Sequence, residues 1–494
     1  MSTLNSKQKL CLDLIKQFIN QNTEKFFYLL GYAGTGKTFL TVKIVMDLIN
    51  IHKMDQIFIC APTHQALRVL LSYMQSGLIQ NNQLDMMSKL KFLTIHKLLE
   101  FKPIIMTEDG SRVFKSKMEP KFLKKMSDKL VIIDECSMIS KYMVTEITKH
   151  STIYPLKIIF LGDEAQLPPV NEAKSIIFAS IPQKYPYVIL LDEIMRAKAP
   201  EIKEVATIIR NWKHSEPLYK LLLTVHNQKK AFKLYHKKPN HLETTWFKHF
   251  TAKLKVGTIP IILTWRNIAA DNYNQIIRSH MHQTTNLDNY IVGDYAMFNN
   301  FYSLGLEGSF YTSDMIRILE IKLKDEKLYE WKTLTNHLQS REDAAFNKLL
   351  IKMDKINNTF KVNTLVVKKI HSDIGKALVS QDQTYTIKTI QRPNLSLYRE
   401  YINTIGEHIE EYHKIYKSDY HTDILWNIYY KMLIDPYAEL CYGYSITTHK
   451  GQGSTFESVF VDMDDMLQNP DIDELQHMIY TAATRCSNDL GFLV

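Results

Sequence analysis

The sequence predicts an α/β protein whose parallel strands alternate with helices, and three stretches carry that prediction. Phe26-Phe27-Tyr28-Leu29-Leu30 is an apolar run suited to a buried strand, and it leads through Gly31-Tyr-Ala-Gly-Thr-Gly-Lys-Thr38 into a helical stretch from Phe39. Leu130-Val-Ile-Ile-Asp-Glu-Cys-Ser-Met138 is a second, β-branched strand that ends in two carboxylates. Leu156-Lys-Ile-Ile-Phe-Leu-Gly-Asp-Glu-Ala-Gln-Leu-Pro-Pro-Val170 is a third, running into a turn. Such strands, separated by helical stretches over residues 1 to about 200, give the βα pattern of a parallel sheet.

The first element is a complete nucleotide phosphate loop. Its glycines let the backbone turn tightly, so that the N–H groups around Gly34, Thr35 and Gly36 face phosphates at the positive end of the following helix. Lys37 would reach the β- and γ-phosphates, and the Thr38 hydroxyl would ligate Mg²⁺. In the second element, Asp134 at a strand tip would hold Mg²⁺ through its water shell. Glu135, one residue on, would polarise the attacking water. In the third, the Gln166 amide could bond both the γ-phosphate and that water, with Pro168 and Pro169 stiffening the loop beyond it. Together these residues imply hydrolysis of a nucleoside triphosphate.

Composition bounds the rest. The 494 residues are too many for one core. A hydrophobic fraction of 45% and a charged fraction of 23% are ordinary for a globular protein. The formal net charge of +9 is compatible with a polyanionic partner without requiring one. Cys11, Cys60, Cys136, Cys441 and Cys486 form no C-x-x-C pair and read as reduced thiols. The N-terminus lacks an apolar signal core and no apolar run reaches membrane-spanning length, so a soluble intracellular protein is expected, in the cytoplasm or nucleus.

The ordered set of phosphate loop, Asp-Glu-Cys-Ser-Met and Gly-Asp-Glu-Ala-Gln-Leu-Pro-Pro resembles the motifs of superfamily 1 helicases, and within them the 1B branch of RecD and phage Dda-like enzymes. The resemblance extends over most of the chain. It implies ATP as substrate, with Gln8 matching the N-terminal glutamine that reads adenine. Ala61-Pro-Thr-His-Gln-Ala-Leu67 looks like motif Ia and Thr94-Ile-His-Lys-Leu-Leu99 like motif Ib. They place Pro62, Thr63, His64, Thr94 and His96 on loops after strands, where they could bond phosphates or stack on bases. Taken singly, each threonine is equally a helix N-cap. Leu191-Asp-Glu-Ile-Met-Arg196 matches the first arginine finger and Tyr480-Thr-Ala-Ala-Thr-Arg485 the second.

Thr447-Thr-His-Lys-Gly-Gln-Gly-Ser-Thr455 resembles motif V. There Thr448 and His449 are expected near the nucleic-acid backbone, and Gln452 and Gly453 near the nucleotide. Ile262-Leu-Thr-Trp-Arg-Asn267 looks like the opening of a second motor domain, with Asn267 a nucleic-acid contact. Trp265 takes a slot usually held by a smaller polar residue and either stacks on a base or packs.

The implied architecture is two RecA-like P-loop motor domains. Domain 1A covers residues 1–200, domain 2A covers 201–292 and 440–494, and an inserted SH3-like α+β domain 2B with a helical extension covers 293–439. The residues themselves support only an α+β insertion there. Lys102 to Lys115 has Asp109-Gly110 between alternating segments, a hairpin signal. In the resembled family a hairpin here is the pin that splits duplex, with Phe101 and Phe114 as its aromatic contacts; otherwise it is a plain surface hairpin. From Glu201 to Lys255 there are 12 Lys or Arg against four acids, with Trp212, Tyr219, Tyr235 and Trp246 between them. That suits single-strand binding and ordinary amphipathic helices equally. The histidines there lack compact metal-ligand spacing, so no zinc is expected. The chain ends just past the motif VI region, with no appended nuclease or zinc module expected.

The resulting expectation is an ATP-driven monomeric motor on single-stranded DNA. By resemblance it moves 5′→3′, opens forked duplex, and serves replication, recombination or repair beside replication or single-strand-binding proteins. An RNA translocase and an ATP-gated single-strand clamp are the rivals. The Lys-, Asn- and Ile-rich composition suggests an AT-rich genome, and the family includes phage and viral members.

Overall fold

The computed structural model describes residues 4–51, 57–116, 129–154, 156–182, 184–193, 199–226, 231–238, 241–287, 289–337, 344–370 and 383–494. Its first sheet has six strands, β1 (Phe26–Gly31), β2 (Ile57–Ala61), β3 (Leu90–Thr94), β6 (Lys129–Ile133), β7 (Leu156–Gly162) and β8 (Val188–Leu191), in the order β3-β2-β6-β7-β1-β8. Every pairing is parallel. All six therefore point their carboxyl ends to one edge, where the loops after β1, β2, β3, β6 and β7 gather. Phe27, Leu29, Ile59, Ile132 and Ile159 are buried against the helices Ser6–Asn20, Lys37–Ile51 and His64–Gln80, while Tyr28, Phe58, Val131 and Phe160 bury the opposite face. Burial on both faces is why these strands read as continuous apolar runs.

A second parallel sheet follows. It contains β9 (Phe232–Tyr235), β10 (Ile261–Thr264), β18 (Ser445–Thr447), β19 (Phe456–Asp462) and β20 (Cys486–Leu493), ordered β18-β10-β19-β20-β9. Both parallel sheets that the sequence implied are present. Trp246 and Tyr235 lie in this lobe's core, so in that part of the basic, aromatic stretch the rings serve packing and not a strand-binding surface. Trp265 is half-buried against the core and its backbone N–H donates to Asp465 Oδ2 at 2.8 Å.

Between β10 and β18 the chain builds an antiparallel sheet of β11 (Tyr295–Phe298), β14 (Met315–Lys327), β15 (Thr359–Lys369), β16 (Thr384–Ile390) and β17 (Leu440–Tyr442). A short pair, β12 (Tyr302–Ser303) and β13 (Ser309–Phe310), lies beside it. The helices Ala344–Asp354, Leu395–Tyr416 and Asp419–Ile428 carry their own core around Trp331, Phe346, Tyr401 and Trp426.

The hairpin β4 (Lys102–Ile105) and β5 (Arg112–Lys115) leaves the first lobe after β3. Its tip rests on this helical extension. Trp426 Nε1 donates to Thr107 O (3.2 Å), Tyr430 Oη donates to Gly110 O (2.7 Å), and Arg112 pairs with Asp435 at 3.0 Å. Among the described residues no helix is long and apolar enough to cross a membrane.

Candidate nucleotide cleft and nucleic-acid face

The phosphate loop runs from β1 into the helix Lys37–Ile51, with Gly34 and Gly36 at φ +81° and +82°, conformations a side chain would strain. Thr35 Oγ1 donates to Tyr32 O at 2.9 Å, and Lys37 Nζ donates to Gly31 O (2.7 Å) and Tyr32 O (3.0 Å). Thr38 stands at the start of the helix and lines the same pocket as Lys37. Gln8 is buried in a capping box with Asn5, and its Nε2 lies 3.4 Å from Thr35 O. The N-terminal glutamine therefore abuts the phosphate loop.

Asp134 and Glu135 follow β6 at the carboxyl edge. Asp134 is buried, and its Oδ1 accepts from Glu135 N–H at 2.8 Å. Glu135 is in left-handed backbone, φ +52° and ψ +43°, which turns its side chain into the pocket instead of along the strand. Gly162, ending β7, packs so closely on Cys136 that a Cβ there would collide with the sulfur. The absence of a side chain at Gly162 keeps the loops after β6 and β7 adjacent. Gln166, from the loop after β7, is buried and lines the pocket.

The second lobe closes the cleft. Arg485 Nη2 donates to Gln166 Oε1 at 2.8 Å, and Nη1 lies 3.9 Å from Glu135 Oε1. Leu167 is buried in the second lobe's core; its N–H donates to Thr481 Oγ1 (2.9 Å) and its carbonyl accepts from Gln452 Nε2 (3.0 Å). Gln452 is thus a tie to the Gln166 loop, whereas Gly453 lines the pocket itself. His477 bonds Ala165 O at 2.9 Å. Arg196 lies outside the described residues. Nothing in the sequence singled out Thr481 or His477 as contacts, because a Thr or His on a helix gives no signal until its partner is known.

The nucleic-acid candidates divide into two groups. Thr63 and Thr94 are N-caps, accepting from Ala66 N–H and Lys97 N–H. Each still presents its loop at the carboxyl edge, with Pro62 and His64 beside Thr63 and His96 beside Thr94. His96 meets Phe101 edge-on at 5.1 Å and Phe114 at 6.2 Å. Phe101 is half-buried against the first core, while Phe114 is 49% exposed. Asn267 begins an exposed helix end. His449 sits 3.8 Å from Glu474, its proton affinity lowered by burial. Thr448 departs from expectation: it is fully buried and donates to Thr264 O at 3.2 Å, because the turn after β18 directs it into the sheet.

A contact no motif announced joins the first lobe to the inserted sheet. His64 stacks on Tyr311 with centroids 3.5 Å apart, Phe301 flanks Tyr311 at 5.4 Å, and Arg68 pairs with the buried Asp314, which Lys369 also contacts at 2.6 Å. Burial first, then the Arg68 cation, pulls the His64 pKa down to about 4.

Several family models and known proteins are similar to this chain. Residues 16–172 match the model described as an AAA domain, and residues 442–493 the one described as a UvrD-like helicase C-terminal domain. The chain is 45% identical over 496 residues to the uncharacterized protein R530 of Acanthamoeba polyphaga mimivirus, covering 99% of each. It is 30% identical over 179 residues to the RecBCD enzyme subunit RecD of Buchnera aphidicola subsp. Schizaphis graminum, 35% of this chain and 28% of that protein. Among solved structures, Pif1 helicase from Candida albicans superposes loosely, with TM-score 0.46, 14% identity and coverage of 100% of this chain and 95% of that one. Pif1 helicase from Bacteroides in complex with ADP-AlF3 and ssDNA gives TM-score 0.48 and 14% identity over 100% and 92%.

Proposed function

We propose a function from the premise that the chain belongs to the superfamily 1B helicases, of the Pif1 and RecD-like kind, and is an ATP-dependent DNA helicase. It moves on single-stranded DNA in the 5′→3′ direction and opens a forked duplex ahead of it, acting in replication, recombination or repair. The observation that supports this best is the joining of Arg485 from the second lobe to Gln166 and Glu135 of the first, across the pocket that Lys37 and Thr38 line.

ATP lies between the lobes, its adenine edge read by Gln8 and its phosphates on the loop Gly34–Thr38. The Thr38 hydroxyl and Asp134 carboxylate are hard oxygen donors lining one pocket, a set suited to Mg²⁺, which when bound neutralises phosphate charge. Glu135 accepts a proton from water as its oxygen attacks the γ-phosphorus, and the bond from that phosphorus to the ADP oxygen breaks. Lys37, Arg485 and, by family resemblance, Arg196 stabilise the charge that spreads over the transferred group. Gln166 orients the water and, through Leu167 and Arg485, ties departure of the phosphate to the second lobe. DNA crosses the carboxyl edge of the first sheet near His64, His96 and Phe114, with His449 and Asn267 on the second lobe, and the hairpin divides the duplex.

The test is ATP hydrolysis with no polymer, single-stranded DNA, single-stranded RNA and duplex, with Lys37→Ala as blank. Strong stimulation by single-stranded DNA, absent in the variant, is expected. Stimulation by RNA alone would replace the substrate, and turnover indifferent to every polymer would overturn the motor.

A further inference from the structure

Arg210 belongs to no motif, yet it lies at the junction of three of them. It ends the helix Pro200–Arg210, one turn beyond Ala206, which with Ile202 and Lys203 lines the nucleotide pocket. Its Nη1 donates to Asp163 Oδ1 at 2.5 Å, and Asp163 is fully buried. Tyr480 Oη donates to Asp163 Oδ2 (2.7 Å) and accepts from Ala33 N–H (3.1 Å) and Arg210 Nη1 (3.3 Å). The guanidinium carbon lies 3.8 Å from the centroid of the Tyr32 ring. One side chain of the second lobe thus holds the ring of the phosphate loop, the aspartate that begins the Gln166 turn, and the tyrosine of the finger helix.

The two ends of this linkage lead to reacting groups. Tyr32 O is the acceptor for Lys37 Nζ and Thr35 Oγ1, so a shift of Tyr32 moves the cradle of the phosphate-binding lysine. Asp163 accepts from Ala165 N–H at 3.1 Å and its carbonyl from Gln166 N–H at 3.1 Å, so it sets the turn that presents the Gln166 amide. On the second lobe, Gln476 Nε2 donates to Ile209 O (2.7 Å) and Arg210 O (3.0 Å), joining Arg210's helix to the helix Ile472–Thr484 that leads directly into Arg485. Arg210 and the finger therefore travel together. A planar guanidinium suits this double role, since it can lie flat on a ring while its edge meets a carboxylate; an ammonium can do only the second.

We propose that Arg210 is a positioning residue of the ATP cleft. It touches no phosphate, but by gripping Tyr32 and Asp163 at once it carries lobe closure to both Lys37 and Gln166, so that the phosphate loop and the water-orienting amide reach their working geometry in the same motion. This rests on the ATP-hydrolysis reading above and adds the residue that synchronises its two halves. The charge state supports the grip: burial opposes it, but Asp163 and Tyr480 more than offset burial and hold the guanidinium proton above its ordinary range.

The test compares wild type, Arg210→Gln, Arg210→Lys and Tyr32→Leu in steady-state ATP hydrolysis saturated with single-stranded DNA, with thermal melts to verify folding and Lys37→Ala as blank. Misplacing reacting groups by about 1 Å costs up to about a hundredfold in kcat, and a smaller shift about tenfold. Arg210→Gln is expected to lose that much in kcat while KM for ATP stays within about twofold, and Arg210→Lys, which keeps the charge and loses the stack, to recover only part. Tyr32→Leu removes the stacking plate without touching the ion pair and is expected to show the same kcat-selective loss, which decides the matter should Arg210→Gln not fold. Wild-type kcat in either folded variant, or full recovery by lysine, would overturn the proposal alone. Wild-type turnover no higher than the blank would overturn the hydrolysis reading, and this one with it.

Discussion

At the residue scale, Glu135 shows what the cleft asks of single side chains. A non-glycine residue at φ +52° carries backbone strain of about 1 to 3 kcal/mol, and the strain swings its carboxylate off the line of β6 into the pocket. Glu135→Gln keeps the shape and removes the proposed base, so kcat for ATP should fall by about 10² to 10⁴ with KM little changed, as single-turnover hydrolysis would report. His64 yields a prediction of another kind. Its folded pKa of about 4 lies below its ordinary 6.5, so between those values the unfolded chain binds a proton that the folded chain refuses. The stabilisation from the neutral, stacked ring is whole above 6.5 and is lost as pH falls toward 4. Melting temperature should therefore drop from pH 7 to pH 5, and less steeply in His64→Gln; equal slopes would refute the assignment.

At the element scale, the hairpin is readable locally, because Asp109-Gly110 sits between alternating segments and Gly110 adopts φ +65°. What it rests on is not readable locally, since the Trp426 that donates to Thr107 lies 319 residues away. The same glycine answers both demands: its φ disfavours a side chain, and a Cβ would run into the Trp426 ring. Gly110→Val should destabilise the docked tip by about 1 to 3 kcal/mol. Hydrogen exchange at residues 102–115 would register it as faster opening, and unchanged protection there would mean the contact is incidental. The inserted segment gives the same lesson, since its short β-branched runs announced strands, while only the pairing of β11 with both β14 and β17 shows that one antiparallel sheet spans the interruption.

At the scale of the whole molecule, the two lobes meet through buried side chains, while the edge proposed to meet DNA carries the exposed cations Lys97, Lys102 and Lys115 beside its hydroxyls and an exposed aromatic. Affinity for single-stranded DNA should then come largely from phosphate contacts and counterion release. The logarithm of the association constant should fall linearly with the logarithm of salt concentration, by about 0.7 per phosphate neutralised, and similarly for oligonucleotides of different sequence. A flat salt dependence in fluorescence anisotropy would locate the DNA elsewhere.

The sequence by itself determined which residues gather at the first lobe's carboxyl edge, because the phosphate loop, Asp134-Glu135 and Gln166 each follow a strand at short range, and parallel pairing sends all of them to one edge. It also marked Arg485 through its motif. Only the tertiary structure decided what Arg485 meets, that Leu167 is buried in the other lobe, that Thr448 faces inward, and that Arg210 lies flat on Tyr32. Periodicity and turn chemistry act over a few residues. Contacts between lobes depend on how separate cores pack, and that packing is written in no single stretch of chain.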